Sequence, residues 1–181
     1  MKGITKYLIV VSLVCYSVTG CTEKKGDTFD AEHEKNEIIK MTGERFKRMM
    51  ATDNPNEIAQ IYTENTVEVP VYMPQNDEVL IGKEAIRGWG EKFFGKYRLT
   101  VGKPYKGLYD EWLLSPEMAV HRYESRGYFI DRATKDSIFS SQKTVDVFKK
   151  ENGIWLYSSH TWNTNSDAII IFNPVCDSFD N

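Results

Sequence analysis

The chain has 181 residues, 23 basic against 26 acidic, a formal net charge of −3 and three cysteines. No basic stripe stands out, which argues against a nucleic-acid partner. So few cysteines exclude a disulfide-stapled scaffold, and the length suits one domain stabilised by its own core.

Residues 1–20 read as a signal peptide. Lys2 and Lys6 give a positive start, Tyr7 to Val14 with Cys15 and Tyr16 form a short apolar run, and Ser17-Val18-Thr19-Gly20 lead to Cys21. The run is well short of the ~20 residues a transmembrane helix needs. Val18-Thr19-Gly20-Cys21 resembles a lipobox. That resemblance implies Cys21 as the first mature residue and the lipid attachment point, and an exported protein anchored to a membrane of the bacterial cell envelope. Cys15 then leaves with the signal and Cys176 remains alone, so no intramolecular disulfide forms. Thr22 to Glu34 is polar and charged, with Phe29 its one large apolar residue, so residues 21–36 read as a tether.

From Glu37 the residues Ile38, Ile39, Thr42, Phe46, Met49 and Met50 recur at three- and four-residue steps, which predicts a helix to about Thr52. Asn54-Pro55-Asn56-Glu57 opens a short second helix, with Asn54 at the N-cap, Pro55 at the first position and Glu57 placed for a capping box. Thr66 to Tyr72 is β-branched and aromatic, hence a strand. Gly82-Lys83-Glu84 opens a third helix carrying Ile86, Trp89 and Phe93, and Gly95 suits its end. Strands follow over Tyr97–Val101, Tyr109–Leu114, Met118–Ile130, Ile138–Lys149 and Ile154–Asn163. A three-residue loop, Glu151-Asn152-Gly153, joins the last two. The layout is α+β, a curved antiparallel sheet packed against three N-terminal helices.

This order of elements resembles the NTF2-like superfamily, in particular its SnoaL-like and DUF4440-type branches. The residues that carry the likeness are Gly82-Lys83-Glu84-Ala85-Ile86, Met118-Ala119-Val120, and Asn152-Gly153-Ile154-Trp155 leading to Trp162-Asn163. It covers a domain at 37–165 and implies a cone-shaped fold. The tail 166–181 lies outside it, and its Ile169-Ile170-Ile171-Phe172 suits an added edge strand or a segment covering the pocket or an interface.

Alternation sorts the strand residues into faces. Ala119, His121 and Tyr123 share one face, and Arg122, Glu124 and Arg126 the other. Burying three charges is expensive, so the first set is expected inside. With Lys150 opposite Ile154, Asp146 would lie opposite Ser158 and Thr144 opposite His160, leaving Asp146 and His160 diagonal on one face. Trp155 and Tyr157 would then face away, available for a homodimer contact or to cover a helix. The candidate acid–base pair is therefore His160 with Asp146. The candidate pocket residues are Tyr72, Trp89, His121, Tyr123, Thr144, Ser158 and Trp162. Ketosteroid isomerases, relatives of this fold, carry an Asp in the penultimate strand and a Trp late in the last one. Asp146 and Trp162 take similar places, but His160 stands where those enzymes have a small apolar residue.

No Cys or His pair has metal-ligand spacing, and there is no Gly-rich phosphate loop or Gly-x-Ser-x-Gly elbow, so no metal or nucleotide cofactor is expected. Two functions compete. One is a membrane-anchored module binding a small, largely apolar molecule or a protein partner. The other is a cofactor-free SnoaL-like isomerase, cyclase, dehydratase or hydrolase using His160 and Asp146. The sequence favours the binding module, because one histidine and one carboxylate make a thin active site.

Overall fold

The computed structural model describes residues 29–74, 77–100, 108–164 and 171–172. The signal peptide and Cys21 lie outside them. In chain order the elements are α1 (Ala31–Ala51), α2 (Pro55–Tyr62), β1 (Thr66–Met73), β2 (Leu80–Ile81), α3 (Lys83–Lys96), β3 (Tyr97–Thr100), β4 (Asp110–Leu114), β5 (Met118–Asp131), β6 (Ser137–Glu151), β7 (Ile154–Thr164) and β8 (Ile171–Phe172). Among the described residues, no helix is long and apolar enough to cross a membrane.

α1 starts at Ala31, not Glu37, so the expected tether is helical over its last residues. Asp30 caps it by accepting the His33 N–H at 3.0 Å, and Glu32 and Glu34 sit where the helix dipole favours acidic groups. Glu34 also docks the first turn on the sheet. Its carboxylate accepts from Lys150 Nζ at 2.6 Å and from Trp155 Nε1 at 2.7 Å.

In α2, Asn54 accepts the Asn56 N–H at 3.1 Å and Pro55 occupies the first turn. The expected capping box does not form. Glu57 instead accepts the Thr52 hydroxyl at 2.6 Å, and Thr52 Oγ1 accepts the Asn54 N–H that Glu57 would have taken. α2 packs closely on α3 because position 90 is glycine; a Cβ there would stand 3.2 Å from that of Ala59.

The eight strands form one curled sheet, in the order β2-β1-β7-β6-β5-β3, with β4 beside β5 and β8 beside β6. It is mixed, not wholly antiparallel, because β1 runs parallel to β7. Asn65 O accepts the Tyr157 N–H at 2.7 Å, so both strands enter the sheet at the same end. In the tail, Ile171 and Phe172 pair with Ile138 and Ser137 of β6, an added strand; the rest of residues 166–181 lies outside the described ones.

The β6–β7 hairpin departs from the expected register twice. Glu151 pairs with Ile154, so the loop is two residues, Asn152 and Gly153, with φ of 52° and 79°. Positive φ at both positions is the pattern of a type I′ turn, whose twist matches the strands. This turn alone would move Asp146 and His160 onto opposite faces. A bulge follows, however. Phe148 pairs with Tyr157 and Val147 with Ser159, leaving Ser158 as the extra residue. Beyond it Asp146 stands directly opposite His160, and Thr144 opposite Trp162.

The bulge also corrects the faces of Trp155 and Tyr157. Both point inward, each 4% exposed, in a core cluster with Ile38, Ala119 and Phe148. They cover α1 and are not available for an outer-face contact. A second cluster joins Met49, Ile58, Ile61, Tyr62, Tyr72, Ile86 and Phe94, binding the three helices to β1.

Candidate functional site

The helices leave part of the concave sheet face uncovered, and a cavity of about 660 Å³ fills that space. Its aromatic wall comes from α3 and β7. The Trp89 ring stacks on Phe93 at 4.9 Å and meets Trp162 edge-on at 5.5 Å. Trp89 is steadied by its indole N–H, donated to Asp77 at 2.8 Å. Such rings offer a large apolar surface with few rotatable bonds.

The polar residues form a row across the sheet. Strand register sets Trp112 of β4 opposite His121 of β5, His121 opposite Asp146 of β6, Asp146 opposite His160 of β7, and His160 beside Tyr72 of β1. The next row holds Asp110, Tyr123, Thr144 and Trp162. Directly opposed residues share a face and lie about 5 Å apart, so two histidines and two aspartates converge within two rows.

Asp146 is 3% exposed, and its carboxylate holds two donors. His160 Nδ1 bonds Oδ1, and the Tyr123 hydroxyl donates to Oδ2 at 3.2 Å. A buried carboxylate is tolerable only with its oxygens satisfied in this way. The His160 ring is gripped from three sides, by Tyr72 at 5.3 Å, Tyr62 at 6.2 Å and Trp162 at 4.5 Å between ring centres. Its Nε2 has no hydrogen-bond partner among the described residues. Burial, and after it the charge of Asp146, keeps the Tyr123 phenol well above its ordinary pKa, so it remains a donor.

His121 forms a second pair with Asp110, Nε2 to Oδ1 at 2.6 Å. Its ring lies between those of Trp112 at 3.9 Å and Tyr123 at 4.2 Å, both stacked. Burial pushes His121 below the ordinary histidine value, and the carboxylate of Asp110 opposes that shift only in part.

Of the candidate pocket residues, Trp89, His121, Tyr123, Thr144 and Trp162 line the cavity, as do His160 and Asp146. Two do not. Tyr72 is wholly buried beneath His160 as part of the core, and Ser158 sits in the bulge away from the lining. Asp110 and Arg45 are among the lining residues that the sequence does not mark. Asp110 opens a strand, β4, whose pairing partner cannot be read from spacing. Arg45 lies on α1 among residues that look like a solvated face, yet it is buried. Its guanidinium stacks 3.7 Å over the Tyr157 ring and donates to the Tyr62 carbonyl at 3.2 Å, at the C-terminal end of α2. Among the described residues, no three metal-ligating side chains gather together.

No protein-family model and no curated protein sequence matches the chain. Solved structures do. A ketosteroid isomerase-like protein from Erwinia carotovora atroseptica is 14% identical with a TM-score of 0.53, over 72% of this chain and 98% of its own. An NTF2-like protein with a cystatin-like fold from Novosphingobium aromaticivorans is 9% identical with a TM-score of 0.53, over 76% and 85%. A hexachlorocyclohexane dehydrochlorinase from Novosphingobium barchaimii is 11% identical with a TM-score of 0.56, over 79% and 96%. The chain therefore has the NTF2-like α+β fold, and these likenesses establish that fold alone.

Proposed function

We propose that this NTF2-like protein is a cofactor-free acid–base enzyme acting on a small, largely apolar molecule, with His160 as the proton-transferring group. The observation that carries this reading is the His160–Asp146–Tyr123 arrangement inside an aromatic cavity. Asp146 and Tyr123 are positioning residues. With Nδ1–H given to Asp146, the neutral ring keeps its lone pair on Nε2, and the carboxylate takes up the charge that appears when Nε2 gains a proton. The apolar wall selects a hydrophobic substrate and excludes water that would compete for the proton. Two structural neighbours bear enzyme names, one isomerase-like and one a dehydrochlorinase, which is compatible with this reading. The binding-module alternative asks less of the site, and it leaves two histidine–carboxylate pairs in one cavity without a purpose.

The test is proton exchange. Aryl and alicyclic ketones, 4-phenylbutan-2-one among them, are incubated with the protein in D2O, and loss of the α-proton NMR signal is followed. The wild type should exchange them above the buffer rate, and His160→Gln should lower the enzymatic rate by about 10²–10⁴-fold. Ketones that quench tryptophan fluorescence on binding but exchange no faster than in buffer would make the protein a binding module.

We further propose that Cys21 is lipid-modified and anchors the mature protein in the cell envelope, a reading supported by Val18-Thr19-Gly20-Cys21 and the apolar run before it. In a bacterial host the full chain should incorporate a fatty-acid label and sediment with membranes, and Cys21→Ser should do neither. Equal labelling of the variant would sink the proposal.

A further inference from the structure

We propose that the ligand of this cavity is an apolar monocarboxylic acid, whose carboxylate sits on the buried guanidinium of Arg45. This names the substrate class of the acid–base reading and, for the reaction alone, rests on it.

Arg45 is the one buried cation among the described residues. It is 8% exposed and shares its helix face with the core residues Ile38 and Met49. Arginine stays protonated inside a protein, so burial does not remove the charge. Its neighbours balance that charge only in part. The Tyr157 ring covers one face of the guanidinium at 3.7 Å, the Tyr62 ring lies 5.4 Å away, and Nη1 donates to the Tyr62 carbonyl at 3.2 Å. These groups are neutral, because burial raises the phenols of Tyr62, Tyr72 and Tyr157 above their ordinary pKa and all three keep their protons.

No carboxylate among the described residues forms an ion pair with Arg45. Arg48, Arg87, Arg122 and Arg132 are all more exposed, and each has one, from Glu64, Glu84, Glu111 and Asp53. Asp146, the buried carboxylate of the cavity, is occupied by His160 and Tyr123. The pattern is the reverse of what stability alone selects, since a buried charge is the one that most needs a partner. A ligand that brings the anion supplies it.

The chemistry of the site specifies which anion. A guanidinium holds its N–H donors in a planar fork that fits the two oxygens of a carboxylate, and only one nitrogen of Arg45 is engaged. One positive charge matches one negative charge. A phosphate dianion would leave a charge uncompensated in apolar surroundings that already hold Asp146.

The rest of the ligand follows from what stands around Arg45. Tyr62 is the common neighbour, with its ring 5.4 Å from the guanidinium, 6.2 Å from the His160 ring and 6.2 Å from the Trp89 ring. All four residues line the cavity, so one small molecule can touch them together. With its carboxylate on Arg45, such a molecule lays an apolar body on the wall of Trp89 and Trp162 and passes a middle carbon by His160. Arg45 is then a binding residue, and removing it should raise KM more than it lowers kcat.

The test compares 4-phenylbutanoate with 4-phenylbutanamide, a matched pair that differs in charge, by quenching of tryptophan fluorescence in the full-length protein. Wild type should bind the acid about tenfold or more tightly than the amide. Arg45→Met should bind the two alike, and Arg45→Lys should keep a reduced preference for the acid. A variant that fails to fold would lose both ligands together, so the ratio within one protein is the readout. Arg45 also borders a small polar cleft beside Arg48, outside the aromatic wall. Arg48→Met should therefore leave the preference unchanged, and its loss there with retention in Arg45→Met overturns the proposal. Equal wild-type affinity for acid and amide also overturns it.

The reaction is followed separately, with 4-oxo-6-phenylhexanoate and its amide in D2O. The acid should exchange with the lower KM and a similar kcat, and Arg45→Met should erase the difference. If the acid preference holds but His160→Gln exchanges as fast as wild type, the acid–base reading fails alone. If both ketones exchange through His160 but acid and amide bind alike, this inference fails alone.

Discussion

Asp146→Asn is expected to lower ketone exchange by about 10³–10⁴-fold while leaving the fold in place. The substitution is nearly isosteric, and asparagine can still face both His160 and Tyr123, so packing of the row survives. What changes is the proton inventory. The carboxylate only accepts, and therefore fixes the His160 proton on Nδ1. A carboxamide can present its NH2 to that nitrogen instead. The ring then carries its proton on Nε2, where the reaction needs a lone pair, and no anion remains to balance an imidazolium. Histidine 15N shifts should report the change of tautomer, and the exchange rate should fall with it. Asp146→Ala differs in kind: it leaves the buried Tyr123 hydroxyl and His160 Nδ1 without their acceptor, at a cost of about 1–3 kcal/mol for each group. A urea midpoint for the alanine variant equal to that of the asparagine one would show that Asp146 does not hold the row together. Full exchange activity in the asparagine variant would remove it from the mechanism.

The helices, strands and general layout were legible because they follow from local rules. Periodic apolar residues marked α1, Asn54-Pro55 marked the start of α2, and β-branched runs marked the long strands. The start of α1 was not legible, because Ala31–Asn36 is held by Lys150 and Trp155, far away in the chain. The site was legible only in part. That Asp146 and His160 share a face depended on a hairpin register, and the expected register was wrong at both the loop and the strand. A two-residue turn changes parity once, and the bulge at Ser158 changes it back. Beyond the bulge the two errors cancel for His160 and Trp162. Before it they do not, so alternation counted back from His160 places Trp155 and Tyr157 outward although both point inward. His121 was identifiable as inward from the charges that alternate with it. Asp110 was not, because its partner depends on how β4 meets β5.

The same bulge gives the second large expectation. Adding a third serine to Ser158-Ser159 should abolish ketone exchange and destabilise the protein, whereas removing one serine should do neither to a comparable degree. The asymmetry follows from which residues are pinned. On the hairpin side of the bulge the register is fixed by the type I′ turn, by Trp155 on Glu34 and by Tyr157 under Arg45. Removing a serine turns the bulge into regular strand, in which Tyr157 stays opposite Phe148 and His160 opposite Asp146. Every inward side chain remains inward, and the loss is confined to the local bend. Adding a serine shifts the far half of β7 by one residue, turning His160 and Trp162 to the outer face. Asp146 is then left buried without its histidine, a change that costs about 3–5 kcal/mol for a broken buried pair, and the aromatic wall loses Trp162. Stability should be read from urea denaturation, and the environment of Trp162 from fluorescence in a background where Trp89, Trp112 and Trp155 are phenylalanine. A red-shifted Trp162 with no exchange activity is the expected result for the insertion. If insertion and deletion prove equally harmless, the strand accommodates length changes through further bulges, and parity does not decide which side chains reach the cavity.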